Sequence, residues 1–137
     1  VDYGDTRIGL AISDNTKSIA FPYQTVQNKN TKYVIEFLEK LIIKKKIDCF
    51  VIGLPIGLNG KDTNQTKKVR LFAETLEVLN VSIFFQDERL TSVTAKKSLI
   101  EENIKTGYMK EKIDERAASI FLQQFIDCNN NKNVFIK

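Results

Sequence analysis

The chain has 137 residues, 42% of them apolar and 28% charged, which suits one globular domain with one core and excludes a disordered or fibrous chain. Lys and Arg number 21 against 17 Asp and Glu, and the resulting net charge of +4 permits a nucleic-acid partner without establishing one. There is no histidine, which excludes Ser-His-Asp and Cys-His catalysis and His-ligated zinc, so any bound metal is held by oxygen and is expected to be Mg²⁺ or Mn²⁺.

No apolar run approaches the ~18 residues of a membrane span, and no signal peptide is visible, so a cytoplasmic location with no membrane partner is expected. The chain opens on Val1 in what reads as mid-strand, so further residues are expected before it. Cys49 and Cys128 lie far apart and are expected to be free thiols.

Val1 to Asp14 reads as two strands around the turn Gly4-Asp5-Thr6, and Ile19 to Gln27 as a third, distorted or at an edge because of Pro22. Thr31 is expected to cap a helix carrying Val34, Phe37, Leu38, Leu41 and Ile42 on one face. Asp48 to Leu54 is a nearly continuous apolar run, as in a strand buried on both faces. A second helix carries Val69, Phe72, Ala73, Leu76 and Leu79. Val81 to Phe85 is a fifth strand, leading into Gln86-Asp87-Glu88-Arg89. Thr91 or Ser92 caps a further helix to about Asn103. After a loop containing Gly107, a last helix is expected from near Asp114 to about Asp127, followed by a frayed Asn-rich tail.

The order β-β-β-α-β-α-β-α-α predicts an α/β fold: a mixed sheet, a three-strand meander and then helix-linked strands, with helices on both faces. One domain over residues 1–128 and a flexible tail over 129–137 are expected. Sites in such sheets form at the carboxyl ends of strands, where Asp2 and Glu88 fall.

Each acid has an ordinary reading by itself. Asp2 could hydrogen-bond the turn backbone, Asp87-Glu88-Arg89 could be a surface turn with an ion pair, and Asp114 could cap its helix. However, Ala118, Phe121 and Phe125 form an apolar stripe on the helix of Asp114, and small Ala117 and Ala118 allow it to lie close to the sheet, near Asp2. Asp2, Glu88 and Asp114 converging at one sheet end would repel one another, and a divalent cation would relieve that repulsion. One or two such ions could activate a water and stabilise the leaving oxygen in phosphodiester hydrolysis. Arg7, Lys110, Lys112 and Arg116 would border such a site and neutralise flanking phosphates.

Four segments carry a resemblance, in order and over nearly the whole chain. They are Asp2-Tyr3-Gly4-Asp5-Thr6-Arg7-Ile8-Gly9-Leu10-Ala11, then Gly53-Leu54-Pro55 with Asn59-Gly60, then Asp87-Glu88-Arg89-Leu90-Thr91-Ser92, and Asp114 to Gln123. Together they resemble the YqgF or RuvX-type family, Holliday-junction resolvase-like proteins described as pre-16S rRNA nucleases. The resemblance implies an RNase H-like fold, with Asp2, Glu88 and Asp114 as the acidic catalytic and metal-holding residues. It implies a cytoplasmic role in 5′ maturation of 16S rRNA or in branched-DNA processing, and leaves a homodimer open. Two departures stand out. The Arg-Lys pair usual before Asp114 is replaced by Tyr108-Met109-Lys110-Glu111-Lys112, and Leu54-Pro55 carries no acid where related resolvases have one, so Glu88 would have to supply that ligand. The rivals are a non-catalytic nucleic-acid-binding module of the same fold, and a fragment of an actin-like ATPase, for which one domain is too little.

Overall fold

A computed structural model describes residues 1–57, 59–87 and 106–131, the side chains of 106–111 and 130–131 excepted. Its strands are β1 (Asp2–Tyr3), β2 (Arg7–Ser13), β3 (Ala20–Gln27), β4 (Cys49–Leu54) and β5 (Ser82–Asp87). Its helices are α1 (Thr31–Lys45), α2 (Asn64–Thr75), continued by a 3-10 turn at Leu76–Leu79, and α3 (Thr106–Asn131).

The first three strands form an antiparallel meander in the order β1-β2-β3, and β4 pairs in parallel with β5. Val1 joins the two groups. Its backbone nitrogen donates to the Val51 carbonyl at 2.7 Å, and its own carbonyl accepts from the Gly53 amide at 2.9 Å. That is the alternating pattern of a parallel ladder, so the described strands follow one another as β3-β2-β1-β4-β5. Pro22 lies opposite Ala11, where the β2–β3 register shifts, and β3 is the outer strand of the meander, in agreement with the distortion expected there.

Strand alternation sorts the core onto two faces. Ile8, Leu10, Phe50, Ile52 and Leu54 pack with α1 and α2 in one cluster containing Val34, Leu38, Val69 and Phe72. Val51 and Ala11 meet Ala118, Phe121 and Phe125 of α3 in a second cluster. The mixed α/β architecture with helices on both faces therefore stands as expected.

Three local expectations need correction. Asn30, not Thr31, caps α1, its side chain accepting from the Tyr33 amide at 2.8 Å. The last helix begins at Thr106, so Asp114 lies inside it and does not open it, and Gly107 is helical. A glycine in a helix costs only about 1 kcal/mol against alanine, which the burial of Ala117, Ala118 and Phe121 outweighs. The same helix runs on to Asn131, so the Asn-rich stretch is helical that far, and Asn129 donates to the Phe125 carbonyl at 2.8 Å. The helix expected from Thr91 or Ser92 to Asn103 lies outside the described residues.

Candidate active site

The first acid is set by alternation. Val1 is buried in the α1/α2 cluster, and the Tyr3 ring lies 4.6 Å from that of Phe72, so both neighbours of Asp2 belong to that face. Asp2 faces the other way, towards the α3 side. In the ladder it stands directly opposite Gly9. The turn between these strands is held by Asn28, whose amide side chain donates to the Gly4 carbonyl at 3.0 Å, and a Cβ on Gly4 would come within 2.5 Å of the Arg7 carbonyl oxygen.

The second acid is set by a close approach. A Cβ built on Gly9 would run into the backbone carbonyl of Asp114 and come within 2.9 Å of the Asp114 Cβ. The helix therefore rests on the one β2 residue without a side chain. Fully buried Ala118 and Phe121 press the following turns against β2 and β4. Directly opposed residues of an antiparallel pair hold their side chains ~5 Å apart on one face. Asp114 thus sits over Gly9 on the face from which Asp2 projects.

The same face holds a cation. Arg7 precedes Gly9 by one alternation, and its Nε donates to Asp114 Oδ2 at 3.1 Å. The two side chains are 28% and 24% exposed. Lys112 and Arg116 flank Asp114 on α3 and are half-buried, and Lys110 lies in the first turns of the same helix. Glu115, beside Asp114, accepts from the Thr25 hydroxyl at 3.2 Å and ties this part of the helix to β3. Glu88 lies outside the described residues, and among those residues no group of three or more acidic, histidine or cysteine side chains could hold a metal. The structure thus brings Asp2, Asp114 and Arg7 to one face. The seat provided by Gly9 and the Arg7–Asp114 pair were not anticipated. The available signal was the spacing of Arg7 and Gly9, one alternation apart in β2.

A cavity of about 150 Å³ lies towards the other end of the strands, between Ala11 to Ser13 of β2 and Cys49 to Val51 of β4. No candidate acid lines it. It opens where β2 and β4 both extend beyond the pairing of β1, which reaches β2 only as far as Gly9. At its rim, the backbone amides of Ile19 and Ser18 and the Thr16 hydroxyl donate to Asp14 and hold its carboxyl below the usual range. Burial pushes the Cys49 thiol up, against the opposing pull of Lys17.

The sequence matches the RuvX family, described as Holliday junction resolvase, over residues 1–128. The chain belongs to this family. Among its curated relatives, a protein of Roseiflexus sp. (strain RS-1) is 38% identical over 128 residues, covering 93% of this chain and 91% of the relative. One from Rickettsia rickettsii (strain Sheila Smith) is 39% identical over 132 residues, with 96% and 86% covered. One from Caldanaerobacter subterraneus subsp. tengcongensis is 38% identical over 133 residues, with 96% of each covered. All three bear the name "Putative pre-16S rRNA nuclease". RuvX membership agrees with the RNase H-like fold read from the motifs. No helix among the described residues is long and apolar enough to cross a membrane.

Proposed function

We propose that this RuvX-family chain is a metal-dependent nuclease that hydrolyses phosphodiester bonds, acting in 5′-end maturation of pre-16S rRNA in the cytoplasm, with branched DNA as its other candidate substrate. The observation that carries the reading is the seating of Asp114 on Gly9, on the face from which Asp2 projects. The family match and the printed names of the relatives support the substrate class. Residues 1–128 form the nuclease domain in this reading, and sedimentation would read whether it works as a homodimer.

Asp2, Asp114 and Glu88 are the groups that would hold the metal. The donors suit such an ion: two carboxylates on one face, hard oxygen ligands in a chain without histidine, favour Mg²⁺ or Mn²⁺. A divalent ion bound there supplies charge stabilisation at the phosphate and a more acidic water. The chain's own contribution is placement. Gly9 fixes the height of Asp114 above the sheet, and strand alternation fixes the direction of Asp2. Lys110, Lys112 and Arg116, with Arg7, offer positive charge to the phosphates on either side of the scissile bond, without which the carboxylates would repel a polyanion.

The test is cleavage of precursor rRNA and of four-way DNA junctions with Mg²⁺ and with Mn²⁺. Metal-dependent cleavage of the RNA supports the proposal, and cleavage of the junction alone moves the substrate to DNA. Binding without cleavage of either, under both metals, would leave a non-catalytic nucleic-acid-binding module.

A further inference from the structure

Four ion pairs can be compared by their exposure. Lys17–Asp48, Lys68–Asp5 and Arg70–Asp62 each have at least one side chain 45% exposed or more, whereas Arg7–Asp114 has 28% and 24%. Exposed pairs contribute little, because water screens them. The Arg7–Asp114 pair is the best shielded of the four. It also spans 107 positions of sequence, joining a strand to a helix on the opposite side of the chain's order.

Its position gives it a purpose beyond joining elements. Asp114 cannot retreat from the sheet without lifting α3, because its backbone lies against Gly9. Asp2 stands across the ladder from the same glycine. Two carboxylates held on one face disfavour each other's charge unless a cation is near. Arg7 is on that face, and its guanidinium lies within hydrogen-bond distance of the Asp114 carboxyl.

We propose that Arg7 is the built-in counter-ion of this site: a positioning residue that holds Asp114 in place when no divalent cation is bound, and whose charge matters less once one is. The inference rests on the metal-site reading above. Arg7 is not a ligand in it. A phosphate contact by other donors of its guanidinium is compatible with this role, since the group carries five N–H donors and the bond to Asp114 Oδ2 comes from Nε.

The experiment is thermal melting of wild type, Arg7→Ala and Arg7→Lys, each without metal and with millimolar Mn²⁺. Without metal, Arg7→Ala is expected to melt roughly 3–5 °C below wild type. With Mn²⁺ that gap should fall to less than half, so that the variant gains more from the metal than wild type does. Arg7→Lys should lie between the two, since a point charge replaces some of the compensation but not the planar geometry. In an Asp114→Asn background the loss of Arg7 should matter much less without metal, a coupling that a double-mutant cycle reads, and Arg7→Lys carries the comparison if Arg7→Ala is poorly folded. A gap that is the same with and without Mn²⁺ would show that Arg7 only staples β2 to α3, and would overturn the proposal. So would the absence of any gap. If wild type responds to Mn²⁺ and the gap persists, only the role of Arg7 fails. If wild type does not respond at all, the metal reading fails and this inference falls with it.

Discussion

The two ends of the strands differ in kind. At one end, two acids and an arginine share one face, and a helix lies over it. At the other, a cavity of about 150 Å³ opens between strands, lined by Leu10, Phe50, Leu122 and Ile126 together with charged residues such as Asp14 and Lys17. Concavity alone would direct attention to the second. The difference teaches that a hole in a small α/β domain can be no more than the distance between two strands that outrun a third. Charge held together on one face against its own repulsion is the stronger sign of chemistry, because nothing in packing rewards it.

The comparison breaks most sharply if the acids are not needed. Asp2→Asn should lower cleavage by roughly two orders of magnitude or more, since a ligand's charge is lost while its shape is kept. Its melting temperature without metal should be unchanged or higher, as repulsion falls. Cleavage rates and melting curves on the same preparation check both halves, and a wild-type rate would remove Asp2 from the chemistry.

Gly9→Ala comes next. The new methyl meets backbone, which cannot rotate aside, so about 1–3 kcal/mol of stability should be lost. Cleavage should fall further than the unfolded fraction explains, because α3 carries Asp114 away from the sheet. Denaturant titration beside initial rates separates the two effects. A variant that is destabilised but has a normal rate per folded molecule would mean that the height of Asp114 is unimportant.

Lys110→Ala with Lys112→Ala should weaken binding of RNA and of DNA junctions alike. The dependence of log affinity on log salt should become shallower by about 1.5–2, the contribution of two phosphate contacts. Titration of labelled nucleic acid at several salt concentrations reads this. Equal slopes would move the nucleic acid elsewhere, past Lys67, Lys68 and Arg70 for example.

The smallest effect sharpens the other side of the comparison. Asp14→Ala, at the cavity rim, should leave cleavage unchanged and lower the melting temperature slightly near neutral pH. The sign follows from a folded pKa held below its ordinary value of 3.8. Such a carboxylate stabilises the fold above that value, and the contribution is lost as pH falls through the lower, folded pKa. Wild type and variant should therefore converge below about pH 4 and differ above it. A loss of cleavage in Asp14→Ala would tie the cavity end to the chemistry after all.

Much of the architecture was legible because it depends on periodicity. The apolar stripe Ala118, Phe121, Phe125 marked the buried face of α3, and all three are buried. Asp2 was legible as an acid near the end of the first strand, and its direction came only with the burial of Val1 and the packing of Tyr3 on Phe72. Boundaries were less legible. Asn30 and Thr31 are both good caps, and only the geometry chooses Asn30. Gly107 reads as a break, yet helix α3 passes through it, because packing of later turns outweighs one residue's propensity. The Arg7–Asp114 pair was invisible for another reason. It joins residues 107 apart, and no local pattern encodes which arginine a given aspartate will meet. Glu88 remains a proposal from motif and position alone.

Gly9 has a further consequence, for which replacements could ever be tolerated there. Its backbone is not in the left-handed region, so the demand for glycine is imposed from outside, by the helix that lies on it. A residue required for its own torsion angles can be relieved by a local change of turn. One required by a neighbour's carbonyl cannot be relieved by trimming any side chain, since the obstacle is main chain. Second-site suppressors of a bulkier residue at position 9 should therefore not be sought among the side chains touching it. They should arise where α3 can tilt as a body, at Ala117, Ala118 or Phe121, and each would restore the fold while leaving Asp114 at a new height above Asp2.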